Sequence, residues 1–582
     1  MIGEATSGDY DSFAERLHQD TLSITGEVLQ GVTYERVKSH LNELASLNGT
    51  LIDPTEGHPA VHYSTNRVAL TEFDTTARSS LIEPWMEEAG MEVEQNPLAV
   101  IGRMKGEDPD LPPLVILSHV DTVPKGDMYD GTLGVLAGIE FAKSISDQGL
   151  RPSRDLLVVA LTGEESTAFG FPLFGSRALF HGLTEKELAT KGTYRADSLG
   201  SALDKLGGHS VSRSMVPIFG EGTELGMPVA ALEVHVEQGS NLENAGVEIG
   251  IVDVIAAAER YNAAIGDTPL VPDDRQYEHD AYFELHVAGS ADHSGTTPMD
   301  ERSRADGLLA TAELLQSILA ERGFPENAIS IGDITVDGGS MNKIPGLTTS
   351  HLRIASDDGI LFKSICDVLE STVVEANAGY AFSEAPFPEN PIELVEVEAG
   401  KSQFFRPEDI ASRQEAAFYL IRGVNDVARE FADRGVVGTV GKYETSPDGS
   451  IGLSVDIRGT DLAARDEAIA TLKRVTETYG SVSFGEPISG SGEPVVMDGS
   501  LRALAEHALD GFGISSMHMP SLAGHDIQNV GRAGIPSMML FCQSNNGGKA
   551  HNPEAYTAPE HVLNAVYALS SVATPLLFSR EV

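Results

Sequence analysis

Five residues of types that bind metal ions stand in four short motifs of the chain. These are His119 and Asp130 in SHVDTVPKGDMYDG, Glu165 in LTGEESTAFG, His235 in LEVHVEQG and His551 in AHNPEAYT. Imidazole nitrogens and carboxylate oxygens are ligands that zinc and similar divalent ions accept, and a carboxylate can bridge two ions. Each motif alone is weak, because a single histidine at a strand end is more often structural. Three histidines and two carboxylates together match a pair of metal ions.

Two further carboxylates accompany these ligands. Glu164 directly precedes Glu165, and such a pair can divide its work: one glutamate binds metal, and the other takes a proton from a water molecule that the metal acidifies. The ordinary alternative for this pair is a solvated acidic turn. Asp121 lies two residues after His119 and is placed to accept a hydrogen bond from the second ring nitrogen of that histidine.

Strands and helices alternate along the segments that carry the motifs. Apolar segments with the character of buried strands run into polar loops in LPPLVILSHVDTV, DLLVVALTGEE and VAALEVHVEQG, whereas GTLGVLAGIEFAKSI has the pattern of a helix. Residues 34–95 have helical periodicity. The alternation predicts an α/β fold, and in open sheets of this class ligands collect where the strands end.

A second domain is predicted inside the first. The pattern changes after about residue 275 to strand, loop and helix, with two more strand candidates near 328–337 and 347–355, and the first pattern returns near residue 490. We therefore expect one domain from 1–275 and 489–582, and an inserted α+β region between them. A chain of 582 residues with 41% hydrophobic content agrees with two or three domains.

The inserted region has the marks of an internal duplication into 276–385 and 386–488. The matched positions are Phe283-Glu284-Leu285 with Ile392-Glu393-Leu394, Pro298 with Pro407, Asp300 with Asp409, Ser303-Arg304 with Ser412-Arg413, and Arg353 with Arg458. Short strand and helix patterns also recur by chance. The matched proline and Ser-Arg positions favour duplication.

The net charge and the cysteine content indicate which binding partners and which cellular compartment to expect. A formal net charge of −47 disfavours nucleic acid and anionic membranes as partners. The acidity fits either solubility or a cytoplasm of high salt content, where screening removes self-repulsion. With two cysteines, no secretory signal and no apolar run that could span a bilayer, we expect a soluble cytoplasmic protein.

The motifs, in their order, resemble the amidase/hydantoinase/carbamoylase family. The matching segments are STNRVALTEFDTTAR, SHVDTVPKGDMYDGTLGVLAGIE, GEESTAFGFPLFGSRAL, LEVHVEQG, HSGTTPM, MNKIPG, AGHDIQ and AHNPEAYT. That group includes N-carbamoyl-L-amino-acid hydrolases and allantoate amidohydrolases, among the dinuclear aminoacylases and dipeptidases. The resemblance implies a dinuclear-metal aminopeptidase-like catalytic domain with an inserted ferredoxin-like lid domain, here doubled.

The resemblance also implies roles for individual residues. His119 and His235 would hold one ion, Glu165 and His551 the other, and Asp130 would bridge them. Two divalent ions are implied, zinc first, with manganese, cobalt or nickel as alternatives. Further implied roles are those of Glu164 as general base, Gln238 in the substrate pocket, His293 on the oxyanion, and Asn342 with Arg458 on the substrate carboxylate.

The sequence departs from the family pattern in three places. Ala168 replaces a common arginine, the stretch 263–280 is longer, and about a hundred extra residues separate MNKIPG from SVDIRG. Arg353 lies nearer to Asn342, but the strand of Arg458 matches the family better.

The first copy of the repeat holds His293 and Asn342, and the second has Ser402 and Asp448 opposite them but keeps Arg458. This split suggests a pseudo-dimeric lid in a monomer, with a homodimer as the alternative.

The implied reaction is hydrolysis of a C–N bond in an N-carbamoyl or N-acyl amino acid or an allantoate-like compound. The substrate would be a small molecule derived from an amino acid. A dipeptidase or aminoacylase with the same metal site is the first alternative. A non-catalytic binding protein on the same fold is the second, and it would be expected to lack a ligand or the glutamate base.

Overall fold

The computed structural model describes residues 7–581 of the chain. Left out are 53–61, 194–196, 208–214, 267, 274, 277, 298, 300–303, 321–328, 338, 340–342, 381–384, 386, 399–402, 478–481, 486 and 488–491. The chain forms two compact units. Met1–Ala256 and Val495–Val582 form the first unit, and Ala257–Pro494 form the second. Both ends of the chain therefore belong to the first unit, and the second is an insertion.

A mixed sheet is the framework of the first unit. Its strands, in spatial order, are Val495–Val496, Ile249–Ile255, Ser537–Cys542, Ala230–Val236, Leu114–His119, Leu156–Leu161, Ala99–Met104 and Glu92–Asn96, with Ser516–Ser521 paired to Ile249–Ile255. The four strands from Ser537–Cys542 to Leu156–Leu161 are mutually parallel. Every residue of these four strands is buried, as expected of parallel strands covered on both faces.

Helices cover this sheet and small elements connect it. The helical segments are Ser7–Gly31, Tyr34–Ser46, Glu72–Ala77, the π-helical turn Arg78–Ile82, Glu83–Glu88, Thr132–Asp147, Phe174–Phe180, Glu185–Leu188, Leu199–Leu206, Asn241–Ala245, Gly499–Phe512, Ile527–Arg532 and Pro559–Phe578. Thr50–Ile52 and His62–Ser64 form a separate two-stranded ladder. Helical periodicity across 34–95 thus corresponds to two helical regions with short strands between them.

The helix Pro559–Phe578 is long and apolar enough to cross a membrane by composition alone. However, 72% of its apolar window is buried inside the first unit. Its side chains pack with those of the central strands and of the helix Thr132–Asp147. It is therefore a core helix of this unit.

The second unit contains two four-stranded antiparallel sheets. The first sheet has the order Ile329–Val336, Leu347–Ser356, His279–Ala288, Ile392–Val397. The second has the order Val436–Thr445, Ile451–Gly459, Ala257–Ile265, Val482–Phe484. A short ladder also joins Asp292–His293 to Lys343–Ile344.

Both sheets have the same connectivity, strand–helix–strand–strand–helix–strand, with the same spatial order. The helices of the first sheet are Gly307–Ala320 and Gly359–Tyr380, and those of the second are Pro407–Glu430, extended by a short turn Ala432–Arg434, and Leu462–Glu477. This is the ferredoxin-like arrangement. The whole first sheet is inserted between the first strand and the first helix of the second.

The nesting differs from the expected domain limits. Ala257–Ile265, which was placed in the first domain ending at residue 275, pairs along its whole length with Ile451–Gly459. Ile392–Val397, which was matched to the first strand of a second copy, is the fourth strand of the first sheet and pairs with His279–Ala288. By contrast, the strands of Arg353 and Arg458 hold the same position, third along the chain, in their two sheets.

The two sheets share one hydrophobic core. Helix Gly307–Ala320 packs against helix Pro407–Glu430, and the edge strand Ile329–Val336 lies beside the edge strand Val436–Thr445. Buried side chains from both halves belong to one apolar cluster. The two halves are therefore a single packed body.

Candidate metal centre

The structure brings the five predicted ligands together in the first unit. They form two groups of three, His119 with Asp130 and His235, and Asp130 with Glu165 and His551. All five side chains are buried. Each ligand follows or ends a parallel strand, except Asp130, which comes just before the helix Thr132–Asp147. The carboxyl edge of the sheet therefore assembles the site, as the sequence pattern predicted.

The separations between ligand atoms fit divalent ions. Asp130 Oδ1 lies 3.4 Å from His119 Nε2 and 3.3 Å from His235 Nε2. On the other side, His551 Nε2 lies 3.0 Å from Glu165 Oε1 and 3.6 Å from Asp130 Oδ2. Bonds of about 2.1 Å in a tetrahedral site place ligand atoms roughly 3.4 Å apart. Among the described residues, Glu165 Oε2 is buried and accepts no hydrogen bond, so it too is available to a cation.

Two imidazoles are oriented by backbone carbonyls. The Nδ1 atom of His119 lies 3.0 Å from the carbonyl oxygen of Asp121, and that of His235 lies 2.9 Å from the carbonyl oxygen of Val236. Each Nδ1–H therefore donates to a carbonyl, which leaves the lone pair on Nε2, the atom that faces Asp130. The backbone N–H of Gly131 also donates to His235 Nε2 at 3.1 Å.

The carboxylate of Asp121 has a different role from the predicted one. Its nearest oxygen is 3.7 Å from His119 Nδ1, too far for a hydrogen bond. It accepts instead the backbone N–H groups of Gly163, Glu164 and Glu165, at 2.8, 3.3 and 3.2 Å. Asp121 thus fixes His119 through its carbonyl and the glutamate loop through its side chain.

Two residues that sequence reasoning missed shape the loop that ends at Asp130. Asp127 Oδ1 accepts the backbone N–H of Tyr129 at 2.8 Å and of Asp130 at 2.9 Å, which turns Asp130 toward the histidines. Gly131 has φ +63°, and a Cβ atom there would overlap the imidazole of His119. The Asp-Gly pair at 130–131 was the available signal, since Gly after a polar turn residue marks positive φ.

Burial and mutual repulsion set the charges of the centre. Desolvation, reinforced by Glu165 and Asp526, raises the pKa of the Glu164 carboxyl well above its usual range, although His119 opposes this. Burial alone would raise the pKa of Asp130, but the imidazoles around it hold that pKa well below its usual range. Although burial lowers the pKa of His551, Glu165 and Asp130 together raise it to about 9. A carboxylate-rich pocket of this kind attracts cations.

Residues 115–574 match the peptidase family M20/M25/M40. The chain belongs to this family. The family is metal-dependent, which agrees with the two ligand groups. The family resemblance expected from the motifs is therefore confirmed.

Curated relatives are similar over part of their length. The N-carbamoyl-L-amino-acid amidohydrolase of Pseudomonas sp. (strain NS671) is 29% identical over 315 residues, which are 52% of this chain and 64% of that protein. The ureidoglycolate hydrolase of Arabidopsis thaliana is 30% identical over 309 residues, 51% of this chain and 57% of that protein. This chain thus spans about three fifths of the length of these relatives.

Solved structures extend the similarity to the fold of nearly the whole chain. AtUAH in complex with (S)-hydroxyglycine matches with a TM-score of 0.59 and 21% identity, over 94% of this chain and 99% of that one. An amidase of the hydantoinase/carbamoylase family from Burkholderia vietnamiensis matches with a TM-score of 0.54 and 21% identity, over 94% and 98%. At these identities the likeness concerns the fold, and it confirms the predicted α/β class.

The predicted pocket residue Gln238 lies directly beside the ligands. Its Nε2 atom donates to Asp130 Oδ2 at 2.7 Å, and its side chain is buried. The side-chain amide therefore contacts the carboxylate shared by the two ligand groups. Its expected contact with substrate stays a prediction.

The other predicted substrate residues belong to the second unit. His293 is buried and pairs with Lys343, the neighbour of Asn342, whereas Asn342 itself lies outside the described residues. Arg458 is buried on the third strand of the second sheet, and its Nη2 atom donates to Ser294 Oγ at 3.2 Å. Ser294, the residue after His293, therefore contacts Arg458 of the second sheet, although it lies in the segment that follows the first strand of the first sheet.

The two candidate arginines have different surroundings. Arg458 forms an ion pair with Asp456 at 2.7 Å, and Asp456 also meets Arg260 at 3.4 Å, so the two arginines share this carboxylate. Arg353 lies between two carboxylates, 2.8 Å from Asp280 and 3.4 Å from Asp273. Arg458 therefore shares its carboxylate with a second arginine, whereas Arg353 meets two carboxylates.

Proposed function

We propose that this protein is a two-metal hydrolase of C–N bonds in N-carbamoyl or related N-acyl amino acids, including ureido compounds of the allantoate kind. The observation that carries the proposal is the pair of three-ligand groups that share Asp130, with Glu164 beside them. The names of the amidohydrolase and ureidoglycolate hydrolase relatives support a ureido substrate. Zinc is the first candidate ion, and manganese, cobalt and nickel accept the same ligands.

His119, Asp130 and His235 would hold one ion, and Asp130, Glu165 and His551 the other. Such ions, when bound, supply Lewis acidity toward a carbonyl oxygen and toward water. Glu164, the neighbour of the proposed ligand Glu165, takes a proton from the attacking water. The water oxygen forms a bond to the carbonyl carbon, the C–N bond breaks, and Glu164 returns the proton to the leaving nitrogen.

The family resemblance implies substrate-binding roles for three residues of the second unit. His293 would stabilise the oxyanion that forms at the carbonyl, and Arg458, with Asn342, would bind the substrate carboxylate. Gln238, whose amide contacts Asp130 in the first unit, would also contact the substrate. The carboxylate shared by Arg458 and Arg260 supports this choice over Arg353, which meets two carboxylates.

A panel of substrates tests the reaction class. Protein reconstituted with Zn²⁺, Mn²⁺, Co²⁺ or Ni²⁺ is incubated with N-carbamoyl amino acids, allantoate-like ureido compounds, N-acyl amino acids and dipeptides. Ammonia release from the ureido compounds is expected to be the fastest reaction. Faster amine release from dipeptides or N-acyl amino acids would favour the dipeptidase or aminoacylase alternative. Substrate binding without turnover for any metal would favour a binding protein.

We also infer that one chain supplies both His293 and Arg458 to the same site, as a pseudo-dimeric lid. Two sheets of identical strand order, one shared core and the bond between Arg458 and Ser294 support this inference. A mixture of His293→Ala and Arg458→Ala proteins is then expected to stay inactive, and light scattering is expected to give a monomer. Activity restored by mixing would show that the residues come from different chains of a homodimer.

We further propose a cytoplasmic location and adaptation to high salt. The two cysteines, Cys366 and Cys542, are both free thiols, which is typical of a reducing compartment. The net charge of −47 supports the salt adaptation.

A further inference from the structure

We propose that Arg67 is a positioning residue for the metal centre, because its guanidinium holds both ends of the loop that carries His119 and Asp130. The proposal rests on the metal site within the proposed function. Arg67 lies in the motif STNRVALTEFDTTAR, to which the mechanism assigns no role. Its side chain is among the largest fully buried side chains of the protein.

The three nitrogens of the guanidinium reach three separate acceptors. Nε donates to the carbonyl of Val120 at 3.1 Å, and Nη2 donates to Thr132 Oγ1 at 2.9 Å. Val120 directly follows His119, and Thr132 comes two residues after Asp130. The third nitrogen, Nη1, donates to the carbonyl of Leu44 at 3.2 Å and fastens the guanidinium to a helix. Arg67 therefore ties the two ends of the ligand loop to one rigid point.

The backbone around Arg67 holds the middle of the same loop. Arg67 and Thr122 exchange two bonds, from Arg67 N to Thr122 Oγ1 at 2.8 Å and from Thr122 N to Arg67 O at 2.9 Å. Thr65 pairs with Gly126 in both directions, and its hydroxyl donates to the carbonyl of Asp127 at 2.6 Å. Asp127 in turn accepts the N–H of Asp130. Most of this loop lies outside helices and strands, so such bonds set its shape.

Only an arginine meets all three acceptors at once. The planar guanidinium has five N–H donors that point in fixed directions, whereas a lysine ammonium is a single point on a flexible stem. No carboxylate among the described residues forms a hydrogen bond with Arg67, and burial lowers its pKa to about 10. A buried cation without a direct anionic partner is costly for stability, so its value lies in the geometry that it fixes.

Arg154 offers a matched control for mere stabilisation of the core. It is also fully buried, and it donates to two carbonyls, of Pro112 at 3.1 Å and of Ser579 at 2.8 Å. Neither carbonyl belongs to the ligand loop. Arg67→Lys therefore disturbs three hydrogen bonds of a buried guanidinium, and Arg154→Lys disturbs two at another place in the same unit.

The test compares Zn²⁺ affinity with thermal stability in the full-length protein. Metal-free wild type, Arg67→Lys, Arg154→Lys and the milder Thr132→Val are titrated with Zn²⁺ against a chromophoric chelator, and their melting temperatures are measured without metal. Both lysine variants are expected to melt earlier. Arg67→Lys is expected to bind Zn²⁺ about 10–100-fold more weakly, as for lost partners of metal ligands, and Arg154→Lys within about threefold of wild type. Thr132→Val should show a smaller loss in the same direction.

The outcomes separate this proposal from the metal site on which it rests. Wild type that binds Zn²⁺ and a folded Arg67→Lys of equal affinity would overturn the positioning role alone. So would an equal loss of affinity in Arg154→Lys. If Arg67→Lys does not fold, the Zn²⁺ affinity of Thr132→Val tests the proposal instead. An unchanged Zn²⁺ affinity in Thr132→Val would then overturn the positioning role of Arg67. Wild type without Zn²⁺ affinity would overturn the metal site together with this role.

Discussion

The carboxylate of Asp121 accepts the backbone N–H of Glu165 at 3.2 Å, and this bond joins the loops of two different strands. The same carboxylate also accepts N–H groups from Gly163 and Glu164, while the Asp121 carbonyl accepts from His119. One residue thus sets the position of a ligand in each of the two groups. We therefore expect a substitution at Asp121 to weaken metal binding more than it lowers the overall stability of the protein.

Asp121→Asn is expected to lower both metal content and turnover. An asparagine side chain keeps one acceptor oxygen, and its NH2 group would face backbone N–H donors, so the Glu164–Glu165 loop should shift. We expect a loss of metal affinity of about 10–100-fold, measured as bound metal per chain after dialysis against a weak chelator. Asp108→Asn is the control, because Asp108 accepts from Asp110 in an exposed loop. Full metal content in Asp121→Asn would contradict the proposal that the Asp121 side chain positions the ligands.

Substitutions of the two adjacent glutamates, Glu164 and Glu165, should have different effects on turnover and on metal binding. Glu164→Gln is expected to keep its metal and to lose turnover by about 10²–10⁴-fold, since it removes the proposed general base and leaves the proposed ligands intact. Glu165→Gln is expected to lose metal from the group with Asp130 and His551. Bound metal and kcat are measured on both variants. Near-normal kcat in a metal-loaded Glu164→Gln protein would rule out Glu164 as the base.

Gly131→Ala is expected to destroy the site for a steric reason. The new Cβ would overlap the imidazole of His119, and φ at this position is +63°. Gly149→Ala is the matched control, because φ is +65° there and a Cβ would have nothing within 4 Å. Both variants should lose about 1 kcal/mol of stability from the backbone conformation. Only Gly131→Ala should lose bound metal, and retention of metal in that variant would show that the close contact is not required.

The two candidate arginines should differ in their effect on KM. Arg458→Lys loses the planar guanidinium of an arginine that shares one carboxylate with Arg260, so KM for a carboxylate-bearing substrate should rise about 10-fold or more, with bound metal unchanged. Arg353→Lys alters an arginine that already meets the carboxylates of Asp280 and Asp273, so KM should stay near the wild-type value. The reverse order of the two KM values would assign the carboxylate to Arg353.

The grouping of the candidate metal ligands could be predicted because strand patterns and residue positions agree. His119, Glu165 and His235 end or follow apolar segments, and parallel strands bring their carboxyl ends to one edge. The partners of Asp121 could not be predicted in the same way. Whether a carboxylate meets a nearby histidine or a distant loop depends on backbone dihedrals that a spacing of two residues does not determine.

The pairing of the strands in the second unit could not be predicted from the sequence either. Ala257–Ile265 pairs with Ile451–Gly459, which lies far along the chain. An apolar strand pattern does not indicate which other strand it pairs with. Ile392–Val397 resembled His279–Ala288 in pattern, and the two are neighbours in one sheet. The resemblance therefore reflected a shared environment and misplaced the strand, whereas the match between the strands of Arg353 and Arg458 agreed with their equal positions in the two sheets.

Stability should increase with salt if the acidic composition is an adaptation. The chain has 87 acidic and 40 basic residues, and screening shortens the range of their repulsion from about 10 Å at 0.1 M to about 3 Å at 1 M salt. We expect the melting temperature to rise steadily between 0.1 and about 2 M KCl. Asp367→Asn/Glu370→Gln removes two exposed like charges one turn apart on helix Gly359–Tyr380, so it should raise stability at low salt and reduce the salt dependence. A melting temperature that does not change with KCl would leave solubility as the explanation of the charge.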